Sequence, residues 1–590
     1  MKIIFLNILC FLSLVGFSQN EQLALDYFEK GEFEKAVTML ESISMQQPTN
    51  LYFFEKTIDC YQQLQQFEKA EKLIESRKKK HNHPVLYIEL GYNFLLQKNS
   101  SKATKQFELA IKEIEKETNN VYQIGSAFEK KSLLDWALKA YEIAQKEIPN
   151  FGFQIALLQG QLGNVALMTD KLLDFSFEKQ ENTSLVQTYL SRYITEDING
   201  TFTAYLKKAL LTKTQKKPDT YWNQYLSWLY VQQKEYGKAF IQERAVYKRN
   251  PSNFNNIITL AKLAINDKQE EEATTILQFV LENTQDISLQ MQAHHFLLEM
   301  KIEHANEVDY DGIDTQLQLL LKQYGINPYS LDLQILTAHF NTFYKKQPKE
   351  GVQLLTKTIT LPLNLREEAK VKMELADIMV FDEKFNQAIL YYAQIEDNLK
   401  NDDFSYEASM KMAKANYYKS DFDWALQQVK ILKQSSSLLI ANDAVALFLL
   451  ITDNSVEDST RVALKAFAKA DLLLYQKEKN LALQEFENIL IQHKNESIID
   501  VTLLKIGQIF EEKKEYLKAL NNYQVLLENN KESVYIDEAL YFSAEIYNKR
   551  LNEPEKAKKL YEKVLFEHPD SIYYTEAQKQ YRTLRGDNNL

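Results

Sequence analysis

Residues 536–571 read IDEALYFSAEIYNKRLNEPEKAKKLYEKVLFEHPDS. Apolar residues recur every three or four positions on both sides of a short polar break, as on two amphipathic helices that each bury one stripe. Two small residues, Ala544 and Ala557, lie among the larger Tyr547, Tyr561 and Val564, which predicts a close crossing at the small residues with large side chains filling the space around it. Pro569 cannot continue the helix before it, and Asp570 or Ser571 can cap the next.

Working outward, the same unit recurs along the chain. Ala36, Ala70, Ala103 and Ala137 are spaced 34, 33 and 34 residues apart. Each precedes a large residue four positions on (Leu40, Ile74, Phe107, Tyr141) and follows another about nine positions back (Tyr27, Tyr61, Phe94, Phe128). Further anchors are Ala239, Ala273, Ala388, Ala425, Ala482 and Ala519, with inter-unit turns at Pro48-Thr49-Asn50, Pro149-Asn150-Phe151 and Pro251-Ser252-Asn253. A fixed period in this range is the signature of a repeat array.

Composition agrees. Only 14 Gly and 10 Pro occur in 590 residues, too few to supply the tight turns of a β-sandwich, barrel or propeller. With 45% hydrophobic and 26% charged residues the chain is globular, yet single cores seldom exceed about 250–300 residues, so an array or several domains are required.

These residues resemble the tetratricopeptide repeat family. In the first unit Ala24, Tyr27, Ala36, Leu40, Ile43 and Pro48 fit that pattern, and in the last Ala544, Tyr547, Ala557, Tyr561, Val564 and Pro569. The resemblance implies an all-α fold of helix–turn–helix repeats stacked as an α-solenoid, a right-handed superhelix whose concave face is formed by first helices. The expected organisation is a signal peptide at 1–18 and an N-terminal array over 19–285, degenerate at about 155–215, where Gly163 and Ala166 mark a shortened unit. An irregular helical connector over 286–360 and a C-terminal array with longer repeats over 361–590 follow. A further hairpin near Ala446 is expected to fill the 57 residues between Ala425 and Ala482.

Lys2 followed by the mostly apolar Ile3–Val15 and by Gly16-Phe17-Ser18 reads as a secretory signal. Cys10 lies inside that apolar stretch, after Leu9, and does not suit a lipidation site. Cys60 is then the one cysteine of the exported chain, which leaves no intramolecular disulfide and suggests a buried thiol. No later stretch is long and apolar enough for a transmembrane segment. The segment 560–584 resembles repeats of Gram-negative envelope proteins, of the outer-membrane assembly lipoprotein and periplasmic cell-division coordinator type, which implies a periplasmic location and a protein or peptide partner in the cell envelope.

Net charge is −11, unsuited to a nucleic-acid partner, and the basic run Arg77–Lys80 closes a predicted helix where cations complement the dipole. Phosphate-loop, zinc-protease, nucleophile-elbow and paired-cysteine motifs are absent, so no catalytic residue, cofactor or metal is expected. His81 and His83 share a loop but supply only two ligands, and the adjacent His294 and His295 point to different faces. The expected function is an exported interaction scaffold. A structural spacer without a groove is the alternative, and a carbohydrate- or peptidoglycan-directed enzyme a more distant one.

In the family's geometry, positions 2, 5, 9 and 12 of each first helix line the concave face. From Ala425 these are Glu407, Met410, Lys414 and Tyr417; from Ala519, Val501, Leu504, Gln508 and Glu511. In the last unit the same face takes Ala539, Phe542, Glu545 and Asn548. The expected partner-binding set is Met410, Lys414, Tyr417, Leu504, Gln508, Phe542, Glu545 and Asn548, with Met410, Leu504 and Phe542 as apolar anchors. In the tyrosine pairs Tyr391-Tyr392 and Tyr417-Tyr418 both rings cannot face inward, so one of each is a further groove candidate.

Intact-mass analysis of protein from its native host should find Gln19 at the N-terminus and no acyl group. Retention of residues 1–18, or an added lipid mass, would defeat the export reading.

Overall fold

The structure is a computed structural model describing residues 20–81, 83–197, 199–216, 218–251, 254–434, 437–455, 460–529 and 532–586. The expectations for residues 1–18, Cys10 included, lie outside these. Among the described residues there are helices, turns and loops and no β-strand. The chain divides into two compact units between Tyr221 and Trp222, and the 286–360 stretch lies within the second.

In the first unit, consecutive helices pair as antiparallel hairpins: 20–29 with Phe33–Gln46, Leu51–Gln63 with Phe67–Lys80, Val85–Leu96 with Ser100–Lys116, and Val121–Lys130 with Leu134–Ala144. Ala36, Ala70 and Ala137 are 0% exposed and Ala103 is 1% exposed, each on its second helix. The crossings are as tight as the small anchors require. A Cβ added to Gly125 would collide with the Tyr141 ring four residues beyond its anchor, so this pair is a close backbone-to-ring approach. The degenerate stretch keeps the hairpin, Gly152–Gln161 with Val165–Glu178, but the buried Met168 takes the anchor position five residues after Gly163 and lies against Gly160 of the first helix.

One backbone rule recurs in both units. Five residues before the anchor the chain turns through the left-handed region: Gly31, Gln65, Lys98 and Ser132 in the first unit, Lys234, Lys268, Glu383, Ser420, Lys477, Lys514 and Asn552 in the second. Most of these are not glycine, which explains how a glycine-poor chain makes so many tight turns. Each such side chain costs about 1 kcal/mol, repaid by the packing that follows it.

In the second unit the hairpins anchored at Ala239, Ala273, Ala388, Ala425, Ala482, Ala519 and Ala557 all form, and each of these alanines is 0% exposed. Thus both units are stacks of tetratricopeptide-type helical hairpins. The irregular stretch includes Ile287–Glu303, Tyr310–Tyr324, Leu331–His339 and Pro348–Thr358, with a π-helical turn over Phe340–Tyr344. The expected hairpin near Ala446 is a single helix, Leu438–Asp453, because Val462–Tyr475 is already the first helix of the Ala482 hairpin. This helix has no hairpin partner of its own to cross, and it packs instead on Asp403–Tyr418 and Phe422–Leu432.

A second departure from simple stacking lies nearby. The Tyr475 hydroxyl donates to the Asp377 carbonyl at 3.1 Å, the Gln476 amide to the Phe381 carbonyl at 2.8 Å, and Lys346 pairs with Glu478 at 3.0 Å. Phe343 meets Tyr475 edge-on with centroids 5.5 Å apart. The Ala482 hairpin is therefore tied to residues two hairpins back, whereas solenoid repeats ordinarily touch only their neighbours.

Ala557 packs among Leu540, Ala544, Tyr561, Val564 and Ala577. Ala557→Leu should overpack this crossing and cost about 1–3 kcal/mol in urea unfolding. Hydrogen exchange should locate the loosening near the C-terminal hairpins. Equal loosening near Ala36 would contradict a stacked array.

Candidate functional site

Position nine of the repeat, eleven residues before the anchor, is Lys414, Asp471 and Gln508 on the first helices of the Ala425, Ala482 and Ala519 hairpins. The structure brings all three to one cavity of about 270 Å³ in the second unit. Asp403–Tyr418, Val462–Tyr475 and Ile498–Glu512 supply its walls, together with Tyr535 and Glu538 at the start of the next hairpin. The extra helix Leu438–Asp453 closes one side with Asp443, Ala446, Leu447 and Leu450, and Val501 and Leu504 add apolar surface. A charged rim thus surrounds an aliphatic lining.

Lys414, Lys505, Asp471 and Glu538 all line this cavity, yet among the described residues none of their side chains is in an ion pair within 4 Å or accepts or donates a hydrogen bond. Burial pushes the Asp471 carboxyl up, and the nearby Lys505 and Lys414 only partly offset it. Burial likewise raises Glu538 to about 7, with Asp537 adding to the shift and Lys505 opposing it. Beneath lies Tyr417, 1% exposed, whose buried hydroxyl has no hydrogen-bond partner. Its pKa is pushed well up by burial and then by Asp471, Tyr418 and Tyr535.

The eight sequence-assigned residues separate. Lys414, Leu504 and Gln508 meet at the cavity. Met410 and Tyr417, 3% and 1% exposed, belong to the core on which Leu438–Asp453 packs, so Met410 is no open apolar anchor, and Leu504, 3% exposed, shows the cavity only an edge. Phe542 lies among Tyr523, Tyr541 and Tyr573, so its truncation would register as lost packing before lost binding. Glu545 accepts from the Tyr561 hydroxyl at 2.5 Å and also pairs with Lys549, and Asn548 donates to Gln580 at 3.4 Å. Position nine counted from Ala557 is Ile546, which is buried, so Glu545 and Asn548 lie one residue off the register that works elsewhere. In the tyrosine pairs, Tyr392 is buried and donates to Asp377 at 2.5 Å, while Tyr418 packs on Tyr475.

Asp471, Lys505 and Glu538 were not among the assigned residues. Asp471 was legible at position nine of the Ala482 hairpin, but Lys505 and Glu538 fall at positions six and one, outside the four positions used.

The first unit has a larger groove of about 560 Å³, lined by Phe28, Tyr52 and Tyr92 and by charged residues. Its charges are largely spent on one another. Lys131 Nζ lies 2.6 Å from Asp59 and 3.0 Å from the buried Glu89, and Lys130 lies 3.5 Å from Glu55. Burial lifts Glu89 to about 7 against the opposing pull of Lys131. Cys60 is fully buried and its thiol is pushed up to about 12, chiefly by burial. His83 accepts from the Val85 amide at 3.4 Å, and His294 lies against the Tyr324 ring. No helix among the described residues is long and apolar enough to cross a membrane.

No family model matches the chain, and no curated protein matches it. Among solved structures, Naa15/Naa10 bound to HypK-THB is similar at 12% identity, covering 97% of this chain and 96% of that chain with a TM-score of 0.28. The APC/C hetero-tetramer Cut9–Hcn1 is similar at 13% identity over 98% of each chain, with a TM-score of 0.21. Likeness this loose says nothing of partner or activity, which rest on the chain's own geometry.

Because Glu538 titrates higher in the folded chain than a free carboxyl does, its contribution is complete below about pH 4 and is lost as pH rises through about 7. Glu538→Gln should therefore leave stability unchanged near pH 4 and raise it by about 1 kcal/mol or more at pH 8. Urea titrations at the two pH values check this, and an equal effect at both would be inconsistent with a carboxyl held up by burial.

Proposed function

We propose that this chain is an exported, periplasmic scaffold that holds a segment of a protein partner against the inner side of its second unit, in the assembly or organisation of the cell envelope. The observation that carries the binding half of this reading is the cavity at Lys414, Asp471 and Gln508. Equivalent positions of three successive hairpins present a charge, an opposite charge and an amide to one space, and neither charge is in an ion pair among the described residues. Charged groups held half out of water without partners are costly, and a partner that supplies the missing contacts recovers that cost on binding. Leu447, Leu450, Val501 and Leu504 offer the apolar contact that usually carries interface energy. The export half is supported by the apolar N-terminal stretch and its small-residue site, and the envelope context by the resemblance of residues 560–584.

The test places a photo-crosslinking residue at Gln508 in the full chain in its native host. Crosslinks to a defined protein should form there and not from Glu562, which is exposed on a second helix. Lys414→Glu should weaken that capture at least tenfold while leaving the thermal transition in place, because Lys414 is itself exposed. Crosslinks from Glu562 alone would remove the cavity from the function.

A further inference from the structure

The cavity is too small for the whole of a helix or a long segment. Its volume of about 270 Å³ falls just below the roughly 300–1,000 Å³ of typical small-molecule sites, which limits an occupant to about two residues. Its chemistry is two-signed. Lys414 and Lys505 offer ammonium donors to an anion, while Asp471 and Glu538, with the exposed Asp443 beside them, offer carboxylates to a cation, and all five lack an ion pair among the described residues. If the site were meant for an anion alone, the carboxylates would repel it; if for a cation alone, two lysines would. A ligand carrying both charges meets both signs.

We propose that this cavity binds a small zwitterion of the α-amino-acid type, a free dipeptide with an aliphatic side chain: its α-ammonium lies at Asp471, its carboxylate at Lys414 and Lys505, and its side chain against Leu447, Leu450, Val501 and Leu504. A further observation points the same way. Gln508, half-buried at the cavity wall with no hydrogen bond among the described residues, has both an amide donor and an acceptor to offer a peptide bond. The first unit supplies the contrast: its groove has acidic and basic residues too, but Lys131 is already clasped by Asp59 and Glu89. The proposal rests on the reading of this cavity as a binding face and goes beyond it: a free dipeptide, charged at both ends, is a second occupant distinct from a segment within a partner chain.

Calorimetric titration of the full chain at pH 7.5 with alanyl-leucine, its N-acetyl form, its C-terminal amide and the doubly blocked form tests it without any variant. Saturable binding of the free dipeptide is expected, with at least tenfold loss on blocking either end. Asp471→Asn should then erase the discrimination against the N-acetyl form, and Lys414→Met with Lys505→Met that against the amide, in proteins whose near-ultraviolet circular dichroism is unchanged. Full affinity for the amide would reduce the ligand to the ammonium end of a chain and overturn the zwitterion. No saturable heat from any of the four at millimolar concentration, or equal heat from the blocked form, would overturn it as well. The scaffold reading is scored separately by the Gln508 crosslinks: crosslinks without dipeptide binding would defeat this inference alone, and dipeptide binding without crosslinks would defeat the scaffold alone.

Discussion

Everything in both units depends on one contact, repeated: a helix backbone pressed close to its partner at a residue too small to hold it off. The anchoring alanines are shut from solvent, and the large residue four positions beyond each fills the space left by the crossing. Where the first helix approaches closest it must itself be glycine, as at Gly507, where a Cβ would run into the Tyr523 ring. The constraint is steric, so it fixes the distance between helices, and that distance sets which side chains of successive hairpins can reach a common space. Polar residues at position nine come together only because the crossings beneath them are equal.

That regularity is why so much was legible in the sequence. The period, the small anchors and the flanking aromatics are local patterns, and hairpins form at each anchoring alanine of the period, including those with longer spacing, though not near Ala446. Features without a local pattern were not legible. Leu438–Asp453 is a lone, largely apolar helix, buried at Ala444, Leu447 and Ile451, and a single helix has no crossing and needs no anchor. The contacts of Tyr475 and Gln476 with Asp377 and Phe381 join residues more than ninety positions apart, and no periodicity within one repeat encodes them.

The site was half legible for the same reason. Lys414 and Gln508 follow from counting back along a first helix, since helix geometry fixes which positions share a face. Met410 and Tyr417 obey that count too, but the intervening helix packs onto the core they join, and a face that is inner by register is then not open. Lys505 and Glu538 reach the cavity from positions that ordinarily look elsewhere, drawn in by the way the Ile498–Glu512 helix and the 532–535 turn border it.

The constant five-residue interval between the left-handed turn residue and the buried alanine makes most hairpins interchangeable parts. A hairpin moved to another place in the stack would carry its own turn and its own crossing, and would need only matching faces on either side. Recombination can therefore lengthen or shorten such a chain one part at a time. The hairpin of Ala482 is the exception: bound to Asp377, Phe381 and Lys346 as well as to its neighbours, it acts as a keystone, fixing how many parts can lie between it and the stretch it grips.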